Sequence, residues 1–228
     1  MEKVKPLVSC SVLGSNFLDL KNHLINYEKN KVDLIHYDVM DGRFVPNISF
    51  GPKIMKDMFR ATSLKFDVHL MVTNPEMVFH LFLSPQVRTI IFHFEALNYS
   101  EIKNLIRTIK ASQQNIRVGI AIKPKTNPEQ IFEYLSLLDQ VLVMSVEPGF
   151  GGQKFIQSTY IKLKKLRNQR LLKKLNFEIS VDGGVNNLTA PEAVNSGVDI
   201  LVVGTYLTNN LNDADLIVDK FHNLRSVY

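Results

Sequence analysis

The sequence predicts an α/β chain folded as a single-domain (β/α)8 barrel, the TIM-barrel arrangement. Three observations carry this reading. Eight short runs rich in Val, Ile and Leu recur along 228 residues, a length that suits one domain. Segments of helical periodicity separate the runs, and such alternation argues for a parallel sheet with helical crossovers. Polar residues gather toward the carboxyl ends of several runs, the face on which barrels build their sites. A doubly wound open sheet also satisfies the alternation; the count of eight favours closure.

The first strand is LVSCSVL (7–13). NFLDLKNHLINYEKN (16–30) follows as a helix, with Phe17, Leu20, Leu24 and Tyr27 on one stripe. VDLIHYDVM (32–40), LKFDVHLMV (64–72), VRTIIFHF (87–94) and IRVGIAI (116–122) supply the next strands. PEQIFEYLSLLDQ (128–140) opens on proline, a favoured first helical residue, and predicts a helix before the strand QVLVMSV (140–146). KLKKLRNQRLLKK (162–174) interleaves Leu with basic residues and reads as the wet side of an amphipathic helix. NFEISVD (176–182) is a strand, NLTAPEAVNSG (187–197) a helix with an Asn/Thr start and a Gly197 stop, and VDILVVG (198–204) the last strand. Nothing resembles a linker, so residues 1–228 form one domain in this reading.

Composition narrows the function. Hydrophobic residues make up 45% of the chain and charged residues 21%, which suits a packed globule. The net charge of +5 is spread out and lacks an aromatic platform, so nucleic acid is not an expected partner, whereas an anionic small substrate is. The lone Cys10 cannot pair within the chain, fits a reducing compartment and reads as a buried small hydrophobe. The N-terminus is not a secretory signal, and no apolar run reaches the roughly 18 residues of a membrane span, so the expected location is the cytoplasm.

Strand alternation puts His36, Asp38 and Met40 on one face, and Asp67, His69 and Met71 on another. Asp182 closes its strand just before two glycines. A buried unpaired carboxylate is very costly, and two imidazoles with two carboxylates are best reconciled by a divalent cation. His36, Asp38, His69 and Asp182 therefore form a candidate ligand set for zinc, iron(II), manganese or cobalt, one ion per subunit with zinc foremost. His93 and Glu95 lie near another strand end, where they fit either a further polar contact at the site or purely local structure. The glycine-rich ends VEPGFGGQKF, DGG and VGT follow consecutive strands, so Gly149, Gly151, Gly152, Gly183, Gly184, Gly204 and Thr205 are candidates for a phosphate nest. No GxGxxG or GxxxxGK[ST] motif supports a nucleotide site. An acid on each side of a cation suits proton abstraction beside a carbonyl and return of a proton to the opposite face. Met40, Met71 and Met144 would wall the space and exclude water, or else simply fill the barrel.

HYDVMDGRFVPNISFG, FDVHLMV, HFEA, GIAIKPKT, VMSVEPGFGGQKF, VDGGV and VVGT together closely resemble the ribulose-phosphate 3-epimerase family, in order along most of the chain. The resemblance implies a barrel enzyme of the pentose phosphate pathway that interconverts D-ribulose 5-phosphate and D-xylulose 5-phosphate through an enediolate. It implies His36, Asp38, His69 and Asp182 as metal ligands, Asp38 as proton acceptor and Asp182 as donor, with roles reversing in the back reaction. Substrate contacts fall on Ser11, His69, the three methionines, Gly149, Phe150, Gly151, Gly152, Asp182, Gly183, Gly184, Gly204 and Thr205. Homodimers or larger homo-oligomers are implied too. Arg43, Lys125, Ser180 and Thr205 depart from the pattern, Thr205 keeping a hydroxyl; Ser180 shares a face with Asp182 and is expected to bear on its support. Alternatives are a D-allulose-6-phosphate 3-epimerase, a non-catalytic phosphate-binding barrel, and a lyase or decarboxylase resting on Lys123 alone.

Overall fold

Eight parallel strands close in sequence order into one barrel in the computed structural model, which describes residues 5–112 and 115–225. They are β1 (Leu7–Ser11), β2 (Leu34–Met40), β3 (Lys65–Met71), β4 (Val87–His93), β5 (Arg117–Ile122), β6 (Gln140–Met144), β7 (Glu178–Asp182) and β8 (Ile200–Val203). The helices are α1 (Leu20–Lys29), α2 (Pro52–Met58), α3 (Pro75–Val78), α4 (Tyr99–Lys110), α5 (Thr159–Leu172), α6 (Ala190–Asn195), α7 (Thr205–Thr208) and α8 (Ala214–His222). The predicted barrel is thus the observed one. Several strands are shorter than predicted because their last apolar residues, such as Val12 and Val146, already belong to the turns that carry the site.

Alternation separates two cores. On β3, Phe66, Val68 and Leu70 face outward and pack beneath the helices, while His69 and Met71 face the barrel interior. Each such fully buried apolar side chain contributes roughly 1.5–3 kcal/mol. Cys10 belongs to the outer core, and burial pushes its thiol up to about 12.

Three expectations are corrected. The 128–140 segment is not one helix: it forms 3-10 turns at Pro128–Ile131 and Leu135–Leu137, with Phe132, Tyr134 and Leu137 each donating to the carbonyl three residues back. This tighter path still buries Ile131, Tyr134, Leu135 and Leu138. Phe17 lies outside α1, is 52% exposed and meets Phe50 edge-on at 5.2 Å. The basic face of α5 is not uniformly wet. Lys162 donates to the Lys123, Pro124 and Thr126 carbonyls, and Arg170 pairs with Asp199.

The amino-terminal floor of the barrel is ionic. Between β3 and β4 the register slips, so that Phe66 pairs with Val87 but Asp67 with Thr89, and Arg88 is the extra residue. Arg88 meets Asp67 at 2.9 Å and also Glu178, which Arg117 approaches at 2.7 Å.

Candidate active site

At the opposite end, the strand register sets polar residues side by side: Ser11 beside His36, Asp38 beside His69, and Met144 beside Asp182. Asp38 Oδ1 lies 3.0 Å from His69 Nδ1 and 3.3 Å from His36 Nε2, and the two imidazole nitrogens lie 3.2 Å apart. Asp182 Oδ2 is 3.8 Å from His36 Nε2. One donor atom from each of the four residues falls within 4.8 Å of all the others. Hydrogen bonds alone cannot satisfy the inner triangle, since each nitrogen carries either a hydrogen or a lone pair toward its neighbours. A cation can: metal–ligand bonds of 2.0–2.1 Å in a tetrahedron place donor atoms about 3.3 Å apart. The inner triangle has the ligand spacing of a divalent ion, and Asp182, 3.8 Å from His36, stands just outside it as the fourth candidate.

The electrostatics are polarised. Burial alone would raise the Asp38 carboxyl, but His36 and His69 hold it well below the usual carboxylate range. Burial pushes Asp182 up to about 7, with the Asp38 charge adding to the effect and His36 opposing it. Asp38 Oδ2 points away from the cluster and accepts the Ser11 hydroxyl at 2.8 Å. Asp41, by contrast, builds its loop: its oxygens accept the backbone N–H groups of Arg43, Phe44 and Thr73 at 2.8–2.9 Å.

Asp38 and Asp182 both reach the floor of one cavity, which Ser11, Met40, Met71 and Met144 also line. Its rim is the three glycine loops: Gly149, Phe150, Gly151 and Gly152 after β6, Gly183 and Gly184 after β7, and Gly204 with Thr205 where α7 begins. At Gly183 and Gly184 no other residue fits. Their φ angles are +114° and +62°, and an added Cβ would fall 2.4 Å from Val146 and 2.6 Å from the Phe155 amide. Met40 and Met71 pack with Val45, and Met144 with Val146 and Val202, so the wall is apolar. His36 and His69 are buried beneath it.

Of the departures, Arg43 and Lys125 are exposed on loops. Ser180 does not touch the cluster; it accepts from Gln140 at 3.0 Å and donates to the Val141 carbonyl. Thr205 sits on the cavity rim with its methyl toward Gly151. Lys123 directs its ammonium over the Phe44 ring at 3.8 Å. His93 does meet the cluster, with Nε2 at 2.9 Å from His69 Nε2. Gly14, Pro148 and Gln153 also line the cavity without having stood out in the sequence, because turn residues carry no periodic signal.

Comparison with known proteins agrees with this geometry. A family model described as the ribulose-phosphate 3 epimerase family matches residues 7–208. A protein of Chlamydia muridarum named ribulose-phosphate 3-epimerase is 40% identical over 209 residues, covering 90% of each chain. The Bacillus subtilis protein of that name is 40% identical over 207 residues, 90% of this chain and 91% of its own. Among solved structures, a mutant tryptophan synthase alpha-subunit from Pyrococcus furiosus superposes with a TM-score of 0.66 over 98% of this chain and 99% of its own; at 15% identity it shows the barrel alone. With the match running from β1 through α7, and the relatives aligned along nearly their whole length, the chain belongs to the ribulose-phosphate 3-epimerase family.

Proposed function

We propose that the whole chain, residues 1–228, is one metal-dependent epimerase domain interconverting D-ribulose 5-phosphate and D-xylulose 5-phosphate by proton transfer at C3. The observation that carries this is the meeting of Asp38 and Asp182, from strands separated by β1 and β8, on the floor of one glycine-rimmed cavity. Each carboxylate divides its labour. Asp38 keeps Oδ1 on the imidazoles and Oδ2 toward Ser11 and the cavity, while Asp182 turns Oδ2 toward His36 and leaves its other oxygen for the sugar. Asp38 takes the C3 proton from one side of the sugar, and Asp182 returns a proton to the other. The enediolate between these steps is shielded from water by Met40, Met71 and Met144. A divalent cation held by His36, Asp38, His69 and Asp182, zinc foremost, supplies stabilisation of the negative charge developing on the sugar oxygens.

The three glycine loops line the cavity, and their backbone amides bind the phosphate. Ser11 completes the substrate contacts on the floor, whereas His69, expected among them, is fully buried outside the cavity lining and bears on the substrate through the cation. The enzyme works in the cytoplasm, where its single unpaired cysteine stays reduced, and the family relationship supports a homodimer or larger homo-oligomer.

Steady-state assays with defined divalent metals test this reading. The protein converts ribulose 5-phosphate with much higher kcat/KM than allulose 6-phosphate. A Gly151→Leu variant raises KM by at least about tenfold with little change in kcat, since it removes binding common to ground and transition states. Gly151 allows the test because an added Cβ there meets only the Thr205 methyl, at 3.7 Å, among the described residues. No turnover of either sugar with any metal would leave a non-catalytic barrel; an unchanged KM with collapsed kcat would overturn the phosphate assignment.

A further inference from the structure

Two residues outside the four-membered cluster run outward from His69 in a line. His69 Nε2 lies 2.9 Å from His93 Nε2, and His93 Nδ1 lies 3.1 Å from Glu95 Oε2. The other carboxylate oxygen, Glu95 Oε1, accepts the Lys123 backbone N–H at 2.7 Å and the Thr126 hydroxyl. The turn that presents these donors is clasped by Lys162, whose ammonium donates to the carbonyls of Lys123 and Thr126 at 3.0 and 2.7 Å. Phe44 packs against the His93 ring with centroids 4.8 Å apart. His93 is fully buried, and among the described residues its two nitrogens have only these hydrogen-bond partners.

Proton bookkeeping that starts from the Glu95 carboxylate gives one order along this line. An ionised carboxylate only accepts hydrogen bonds, so Glu95 takes the hydrogen on His93 Nδ1. A neutral imidazole carries one N–H, which leaves a lone pair on His93 Nε2. That lone pair accepts the hydrogen on His69 Nε2. His69 Nδ1 is then bare, and it is this atom that faces Asp38 Oδ1 and His36 Nε2. The reverse order would give Asp38 Oδ1 a hydrogen from His69 Nδ1, but it would aim a lone pair of His93 at the Glu95 carboxylate and leave His69 no lone pair for a cation. His36 has no such support: among the described residues its buried Nδ1 has no hydrogen-bond partner.

We propose that Glu95 and His93 are positioning residues that hold the Nδ1 lone pair of His69 toward the cation and thereby set the affinity of the cluster for it. The inference rests on the reading of the cluster as a metal site. Partners of this kind behind metal-ligating histidines typically change affinity 10–100-fold when lost.

Glu95→Gln tests it, because the variant keeps the shape and reverses the proton order. The Lys123 N–H can only donate, so the amide oxygen must stay on that side and the NH2 group must face His93 Nδ1. His93 then donates from Nε2, and His69 is left with its hydrogen on Nδ1, the metal-facing atom. Zinc affinity is measured by competition with a chromophoric chelator, and the tautomers by long-range proton–nitrogen imidazole NMR of the metal-free protein. The expected result is a loss of about 10–100-fold in zinc affinity, with His69 switching from Nε2–H to Nδ1–H. Thr126→Val, which removes one donor without reversing the order, retains wild-type tautomers and near wild-type affinity. Unchanged zinc affinity in Glu95→Gln, or wild-type His69 protonated on Nδ1, overturns the proposal; the second result needs no variant to fold. Wild-type protein that binds none of the divalent metals would instead remove the metal reading, while its NMR spectrum still decides the proton order.

Discussion

Replacing Asp182 with Asn lowers kcat on the order of 10³-fold, and Asp38→Asn does the same. Both variants keep the size of the side chain and one oxygen for the cluster, so metal content is measured alongside turnover. What they lose is the ability to carry a proton. The two losses are not equivalent in labelled water. With Asp182 gone, Asp38 still removes and returns the C3 hydrogen of ribulose 5-phosphate, so that epimer exchanges with solvent without inverting. With Asp38 gone, xylulose 5-phosphate exchanges instead. Near wild-type kcat in either metal-loaded variant would contradict the assignment of the carboxylates as proton carriers.

The second large effect is on stability and lies at the other end of the barrel. Arg88→Met leaves the Asp67 carboxylate buried, 1% exposed, with no ion-pair partner among the described residues. Removing one member of a buried pair costs about 3–5 kcal/mol, because the remaining charge is uncompensated. Glu178 is less affected because Arg117 still holds it. Urea unfolding of Arg88→Met should show this loss, and a second change, Asp67→Leu, should recover part of it. A loss below about 1 kcal/mol would mean that water or another group solvates Asp67 after all.

The barrel and the four clustered residues were legible for one reason: strand alternation. A parallel strand buried on both faces still sends its polar residues to one side, so His36, Asp38 and His69 could be read as facing inward from spacing alone. Asp182 was legible because it ends a strand against two glycines. Cross-strand geometry was not. The register slip that brings Arg88 to Asp67 depends on one extra residue in a strand that reads as regular, and no local signal marks it. The line from His69 to Glu95 needs three segments to converge, with Lys123 and Thr126 reaching Glu95 across the next crossover. The 128–140 crossover misled because its apolar spacing fits a 3-10 path and an α-helix equally well. On α5, the charge pattern predicted a solvated face, but long side chains such as Lys162 reach past the helix to neighbouring carbonyls.

The most direct measurement is conversion of ribulose 5-phosphate in heavy water by the metal-loaded wild-type protein, with the product examined at C3. Xylulose 5-phosphate carrying solvent deuterium at that carbon is the predicted result. Product that retains the original C3 hydrogen would show that no proton leaves through Asp38 or returns through Asp182, and the account would fail.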